Sequence, residues 1–171
     1  MEFSSVSSKI WQVVRPDAKH FHMPFERWIA QHGAYYAGTV NLILSNPPYG
    51  ERGQYQHEDP DPRYKEKVAW AYFMRRALDL LAPRGVGVFL VPSSFLSAAG
   101  NRALRQRLLL RNHLMAAYRL PSVTPSATGK DKDFVPGADI VMDLLFWRAR
   151  GSSSARLTPK TPRLWKAAIS S

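Results

Sequence analysis

From Val40 onward the sequence alternates short apolar runs with helical patterns, and that alternation constrains its fold more than any other feature. "VNLILS" (40–45), "VGVFLVP" (86–92), "HLMAAYRLP" (113–121) and "ADIVMDLLFW" (138–147) read as strands. The first of them has the look of a buried strand. Between them, "EKVAWAYFMRRALDLLAPRG" places Val68, Ala71 or Tyr72, Arg75 and Leu78 at helical spacing and ends on Pro83 and Gly85. "NRALRQRLLLRN" reads as an amphipathic helix with an arginine-rich outer face. Strand–helix–strand connections are right-handed, so the pattern predicts a mainly parallel sheet with helices on both faces. The expected strands are 40–45, 86–91 and 114–120 running one way, with 139–147 antiparallel to them. The expected helices are 65–82 and 100–112. Ligands gather at the carboxyl ends of strands in such sheets. Residues 46–49 stand at one of those ends.

The flanks are less regular. In the N-terminal segment, residues 1–39, "MPFERWIAQHGAYY" reads as a helix capping the sheet, and nothing places Met1 to His22. The insert "ERGQYQHEDPDPRYK" (51–65), with two Asp-Pro turn signals, and Ser122 to Gly137 read as loops. Residues 40–150 form the α/β unit. Residues 151–171 read as a basic flexible tail with the short apolar ending "LWKAAI".

At 171 residues and 45% hydrophobic content the chain suits one globular domain. It has no cysteine, which excludes disulfides and thiolate metal sites. No apolar window approaches a membrane span and no secretory run opens the chain, so the cytoplasm is the expected compartment. The net charge of +11 is concentrated: Arg102, Arg105, Arg107, Arg111 and Arg119 share a stretch without an acid, as do Arg148, Arg150, Arg156, Lys160, Arg163 and Lys166. Such stretches suit a polyanion, through release of phosphate counterions, or equally a solvated basic surface.

The strand at 40–45 runs into Asn46-Pro47-Pro48-Tyr49-Gly50. Two prolines fix two φ angles and remove two backbone donors, which leaves a stiff turn with free carbonyls. Asn46 adds a side-chain carbonyl beside them. Converging acceptors suit an –NH2 group, and Tyr49 offers a flat face for the ring that carries it. An amine on an aromatic ring is a poor nucleophile, because its lone pair is delocalised. Acceptors on both of its protons favour a tetrahedral, nucleophilic nitrogen without a dedicated base. His57 and His113 therefore read as structural or solvated. Asp139 and Asp143 flank a strand and read as cap and edge residues, so no metal site is expected.

An Asn-Pro-Pro-Tyr turn after an apolar strand resembles the signature of class I S-adenosylmethionine-dependent amino-methyltransferases, above all the adenine-specific (N6) DNA methyltransferases of restriction-modification type. "LLAPRGVGVFLVPSSFLS", "LRNHLMAAYRLPS" and "FVPGADIVMDLLFWRAR" are similar to the strands and helix ends that follow the motif in that family. The resemblance covers roughly residues 40–150 and implies a partial Rossmann-like methyltransferase fold, of class α/β, with a last antiparallel strand. It implies that Asn46 and the Pro47 carbonyl accept hydrogen bonds from the target amine, that Pro48 stiffens the turn, and that Tyr49 stacks on a flipped-out base. It places Asn46 beside the cofactor, S-adenosylmethionine, as well. Phe134, in the loop before the last strand, stands where family members close a second aromatic on the base, or else anchors its loop. DNA is the implied partner.

The family's glycine-rich cofactor turn is not found. Gly33 and Gly38 lack a preceding apolar strand, and Gly85-x-Gly87 lies before a strand instead of after one. The sequence therefore reads as the catalytic half of a methyltransferase, with a complementary cofactor-binding domain or subunit as expected partner and an open sheet edge where that half is missing. The alternatives are an amino-methyltransferase acting on RNA or a protein glutamine, and an inactive nucleic-acid-binding remnant.

Overall fold

Val40–Ser45 (β1) pairs in parallel with Leu81–Pro92 (β2) in the computed structural model, which describes residues 5–59, 61–120, 123–124, 132–133 and 141–151. Asn112–Arg119 (β3) and β2 both pair antiparallel with Met142–Ala149 (β6), giving a four-stranded sheet in the order β1-β2-β6-β3. Three strands thus run one way and the last runs against them, the expected mixed sheet. Val123–Thr124 (β4) and Lys132–Asp133 (β5) form a separate two-stranded ladder within the segment read as a loop. Phe134, Asp139 and the tail beyond Gly151 lie outside the described residues.

Alternation sorts each strand's side chains between two faces. Gly87, Phe89 and Val91 of β2 stand in register with Trp147, Leu145 and Asp143 of β6. Phe89, Val91, Leu145 and Trp147 form one core with the buried apolar side chains of Phe25–Tyr36 (α2), Ala69–Leu78 (α3), Ser94–Ser97 (α4) and Arg102–Arg111 (α5). Each of these fully buried side chains contributes roughly 1.5–3 kcal/mol. The opposite face carries Leu42, Val86 and Arg148 in one row and Leu44, Val88 and Phe146 in the next. Leu42 and Leu44 are 57% and 71% exposed.

The structure corrects several expectations. β1 is an edge strand, and only its Val40 and Ile43 pack against the core, because no described element covers Leu42 and Leu44. α3 ends at Leu78 instead of 82. The amides of Thr39 and Val40 both take the Leu80 carbonyl (3.1 and 3.0 Å), so pairing with β1 draws Leu81 onward into β2. A bulge follows. Arg84 adopts φ 68°, and a Cβ on Gly85 would lie 2.8 Å from the Val40 oxygen and 2.9 Å from the Ala82 oxygen, so only glycine fits. Asp143 is neither a cap nor an edge residue. It lies inside central β6, 1% exposed, with Arg119 Nε 3.0 Å from its Oδ1. In the N-terminal segment, α2 supplies Phe25, Trp28 and Ile29 to the core. Ser5–Val14 forms a further helix, α1, whose Ile10, Trp11 and Val13 are exposed.

Candidate active site

β1 delivers Asn46 to Gly50 at its carboxyl end, beyond Ser45, which pairs with Phe89 of β2. Pro47 is buried and pins the turn, Asn46 and Pro48 are exposed, and Tyr49 packs partly against the core. The Tyr49 hydroxyl donates to the Asn46 side-chain carbonyl. Burial pushes the Tyr49 phenol above its ordinary range, against the lowering effect of that hydrogen bond, so at neutral pH the group keeps its proton and acts as donor. Among the described residues no hydrogen bond reaches the carbonyls of Pro47 or Pro48. The structure thus brings Asn46, Pro47, Pro48 and Tyr49 into one rigid turn.

The turn is fastened on its far side. The Gly50 carbonyl accepts from the Ala69 amide (2.9 Å), Glu51 bridges Val68, and the Arg52 amide donates to the Lys67 carbonyl (2.7 Å). Residues 50–52 are therefore zipped to the start of α3. The segment between them, read from sequence as a plain polar loop, is held by buried charge. Asp59 accepts from Arg76 (2.6 and 2.7 Å) and from the Tyr72 hydroxyl (2.7 Å). Tyr64 donates to Asp79, and Arg75 pairs with Glu66. Arg52, Asp59 and Glu26 are the residues that sequence reasoning missed. Their partners lie far apart in the chain, and ion pairs leave no periodic signal.

The remaining candidates lie away from the turn. His57 sits in a short 3-10 helix, Gln54–Glu58. His113 stands opposite Arg148 in the sheet, and burial, with Arg150 and Arg148 nearby, pushes its pKa down. Among the described residues no group of three or more His, Cys, Asp or Glu side chains could hold a metal ion. Of the glycines weighed from sequence, Gly33 lies within α2, Gly38 turns at φ 71° before β1, and Gly85 serves the bulge, so none of these three opens a turn between a strand and a following helix.

Residues 9–123 match the model of the Eco57I restriction-modification methylase family. The chain belongs to that family. A relative of this Eco57I-family chain is the "Defense against restriction protein B" of Escherichia phage P1, 29% identical over 158 residues that make up 92% of this chain and 6% of that protein. A modification subunit assigned to a type I restriction enzyme of Vibrio vulnificus YJ016 superimposes with a TM-score of 0.66 at 19% identity, over 88% of this chain and 32% of that one. A protein assigned to the class I S-adenosylmethionine-dependent methyltransferases of Listeria monocytogenes gives 0.51 at 16% identity, over 71% and 34%. At those identities the two structures show a shared Rossmann-like methyltransferase fold. The chain spans about a third of each of them and a small fraction of the phage protein.

Proposed function

We propose that this chain is the catalytic half of an adenine-N6 DNA methyltransferase of restriction-modification type, completed by a cofactor-binding half that joins the free edge of β1. The observation that carries the reading is the turn itself: the Asn46 acceptor and the Tyr49 ring side by side, rigid, at the carboxyl end of a strand in a restriction-modification methylase. An adenine flipped from its duplex stacks on Tyr49 and gives its two amino protons to Asn46 Oδ1 and the Pro47 carbonyl. The two acceptors draw the nitrogen towards tetrahedral geometry and face its lone pair away from them. In the resting turn the Tyr49 hydroxyl occupies Asn46 Oδ1, so at that acceptor the incoming amine replaces one donor by another. S-adenosylmethionine, held by the complementary half, would supply the methyl group and leave as S-adenosylhomocysteine, with one amine proton passing to solvent.

Supporting a divided enzyme are the outer edge of β1, unpaired among the described residues, the exposed Leu42 and Leu44, and similar structures of which this chain spans about a third. The phage relative, named for defence against restriction, accords with a role in marking DNA. No described helix is long and apolar enough to cross a membrane, and we place the activity with DNA in the cytoplasm.

The test supplies the cofactor half, labelled S-adenosylmethionine and adenine-containing DNA, and identifies the methylated nucleoside by mass spectrometry. N6-methyladenine that disappears with Asn46→Ala supports the reading. Label on cytosine, RNA or protein, or no transfer by the assembled complex, overturns it in favour of another amine substrate or an inactive remnant.

A further inference from the structure

We propose that Arg52 is the positioning residue of the candidate site, setting the Asn46–Tyr49 turn through a buried charge contact with Glu26; this rests on the catalytic reading of that turn. Arg52 follows Tyr49 by three positions. Its side chain is 1% exposed, in a segment whose composition is that of a solvated loop. One Nη donates to the Tyr64 carbonyl (3.0 Å) and the other reaches the Gln56 carbonyl (3.4 Å). Nε lies 3.7 Å from Glu26 Oε1 on α2. The guanidinium carbon stands 3.6 Å from the centre of the Tyr72 ring on α3. One side chain thus ties the exit of the turn to two helices and to two points of the insert.

Its backbone does the same, through the 2.7 Å bond from its amide to the Lys67 carbonyl. Burying a guanidinium carries a desolvation cost that its partners must offset, and a hydrophobic side chain would fill the space at less cost. Nε makes no hydrogen bond at all. A charge retained under those terms fits a demand for position more than for stability. The planar fork reaches two carbonyls and a ring face at once, which a lysine cannot do. The turn needs that accuracy, because a displacement of about 1 Å at a reacting group can cost on the order of 100-fold in rate.

The experiment compares Arg52→Lys, Arg52→Met and Glu26→Gln in the enzyme assembled with its cofactor half, with Asn46→Ala alongside. The expected order of kcat is wild type, then Lys, then Met, spanning on the order of 10- to 100-fold, with the KM for DNA little changed. In parallel, 15N NMR spectra of the 171-residue chain should show the Asn46 side-chain amide and Tyr49 signals shifting in Arg52→Lys while the Trp147 indole stays in place. A kcat for Arg52→Lys equal to wild type, or unmoved Asn46 and Tyr49 signals, while Asn46→Ala is inactive, overturns the positioning role alone. Normal turnover in Asn46→Ala overturns the catalytic reading of the turn and this inference with it. If Arg52→Met does not fold, the Lys variant carries the comparison.

Discussion

The Tyr49 hydroxyl donates to Asn46 in the resting turn, and the two side chains do separable work. Replacing Asn46 by Ala removes an acceptor that acts mainly as charge develops on the amine nitrogen. Turnover in the assembled enzyme should fall on the order of 100-fold or more, with DNA affinity nearly unchanged. Tyr49→Ala removes a stacking face worth about 1–3 kcal/mol per base and should weaken DNA binding as well as rate. Tyr49→Phe keeps the face and releases Asn46 from its internal donor, so methyl transfer should stay within a few-fold of wild type. Steady-state kinetics on one oligonucleotide, paired with fluorescence anisotropy for binding, separates the three. Arg119 illustrates a different dependence. Asp143 is almost wholly buried and receives two hydrogen bonds from the half-exposed Arg119. Arg119→Ala should cost about 1–3 kcal/mol in urea unfolding, because it strands a carboxylate in the core.

The insert between β1 and α3 behaves as an element although it has little regular structure, and its cohesion depends on pH. Burial works to raise the Asp59 carboxyl, but the hydrogen bonds from Arg76 and Tyr72 outweigh it and hold the group below the usual carboxylate range. A depressed native pKa means that the stabilisation is complete above the unfolded value, about 4, and is lost as pH falls through the native one. Protection of the amides in residues 51–67, relative to their intrinsic exchange rates, should therefore fall below about pH 4 before β2 and β6 open, and Asp59→Asn should weaken that dependence. None of this cohesion was legible in the sequence, which shows only polar residues and two Asp-Pro turns. The strands were legible because β-branched and apolar runs stand out between helices. The end of α3 was not, since Leu80 and Leu81 continue its apolar pattern while ladder bonds to Thr39 and Val40 claim them for the sheet. The Asn-Pro-Pro-Tyr turn was legible because its chemistry resides in four consecutive residues. Arg52 was not, because its meaning lies in Glu26, Gln56, Tyr64 and Tyr72.

At the scale of the molecule, the β1 edge of the sheet is unpaired among the described residues. Leu42 and Leu44, adjoining Val86 and Val88, look like surface that expects company. Leu44→Lys should reduce self-association of the isolated chain in sedimentation experiments and impair assembly with the cofactor half. Calorimetry of the isolated chain should show weak or no binding of S-adenosylmethionine, and tight stoichiometric binding would contradict a divided enzyme. The sheet order carries a consequence of another kind. Among the described residues β3 pairs with no strand except β6, and β6 follows the sheet's other three strands in the chain. On the ribosome β1 and β2 can pair early, but β3 must wait, unzipped, until residues 142–149 have left the exit tunnel and slipped between it and β2. A nascent chain halted at residue 120 would keep β3 loose, and ribosome-bound intermediates should turn resistant to protease abruptly, once Ala149 emerges.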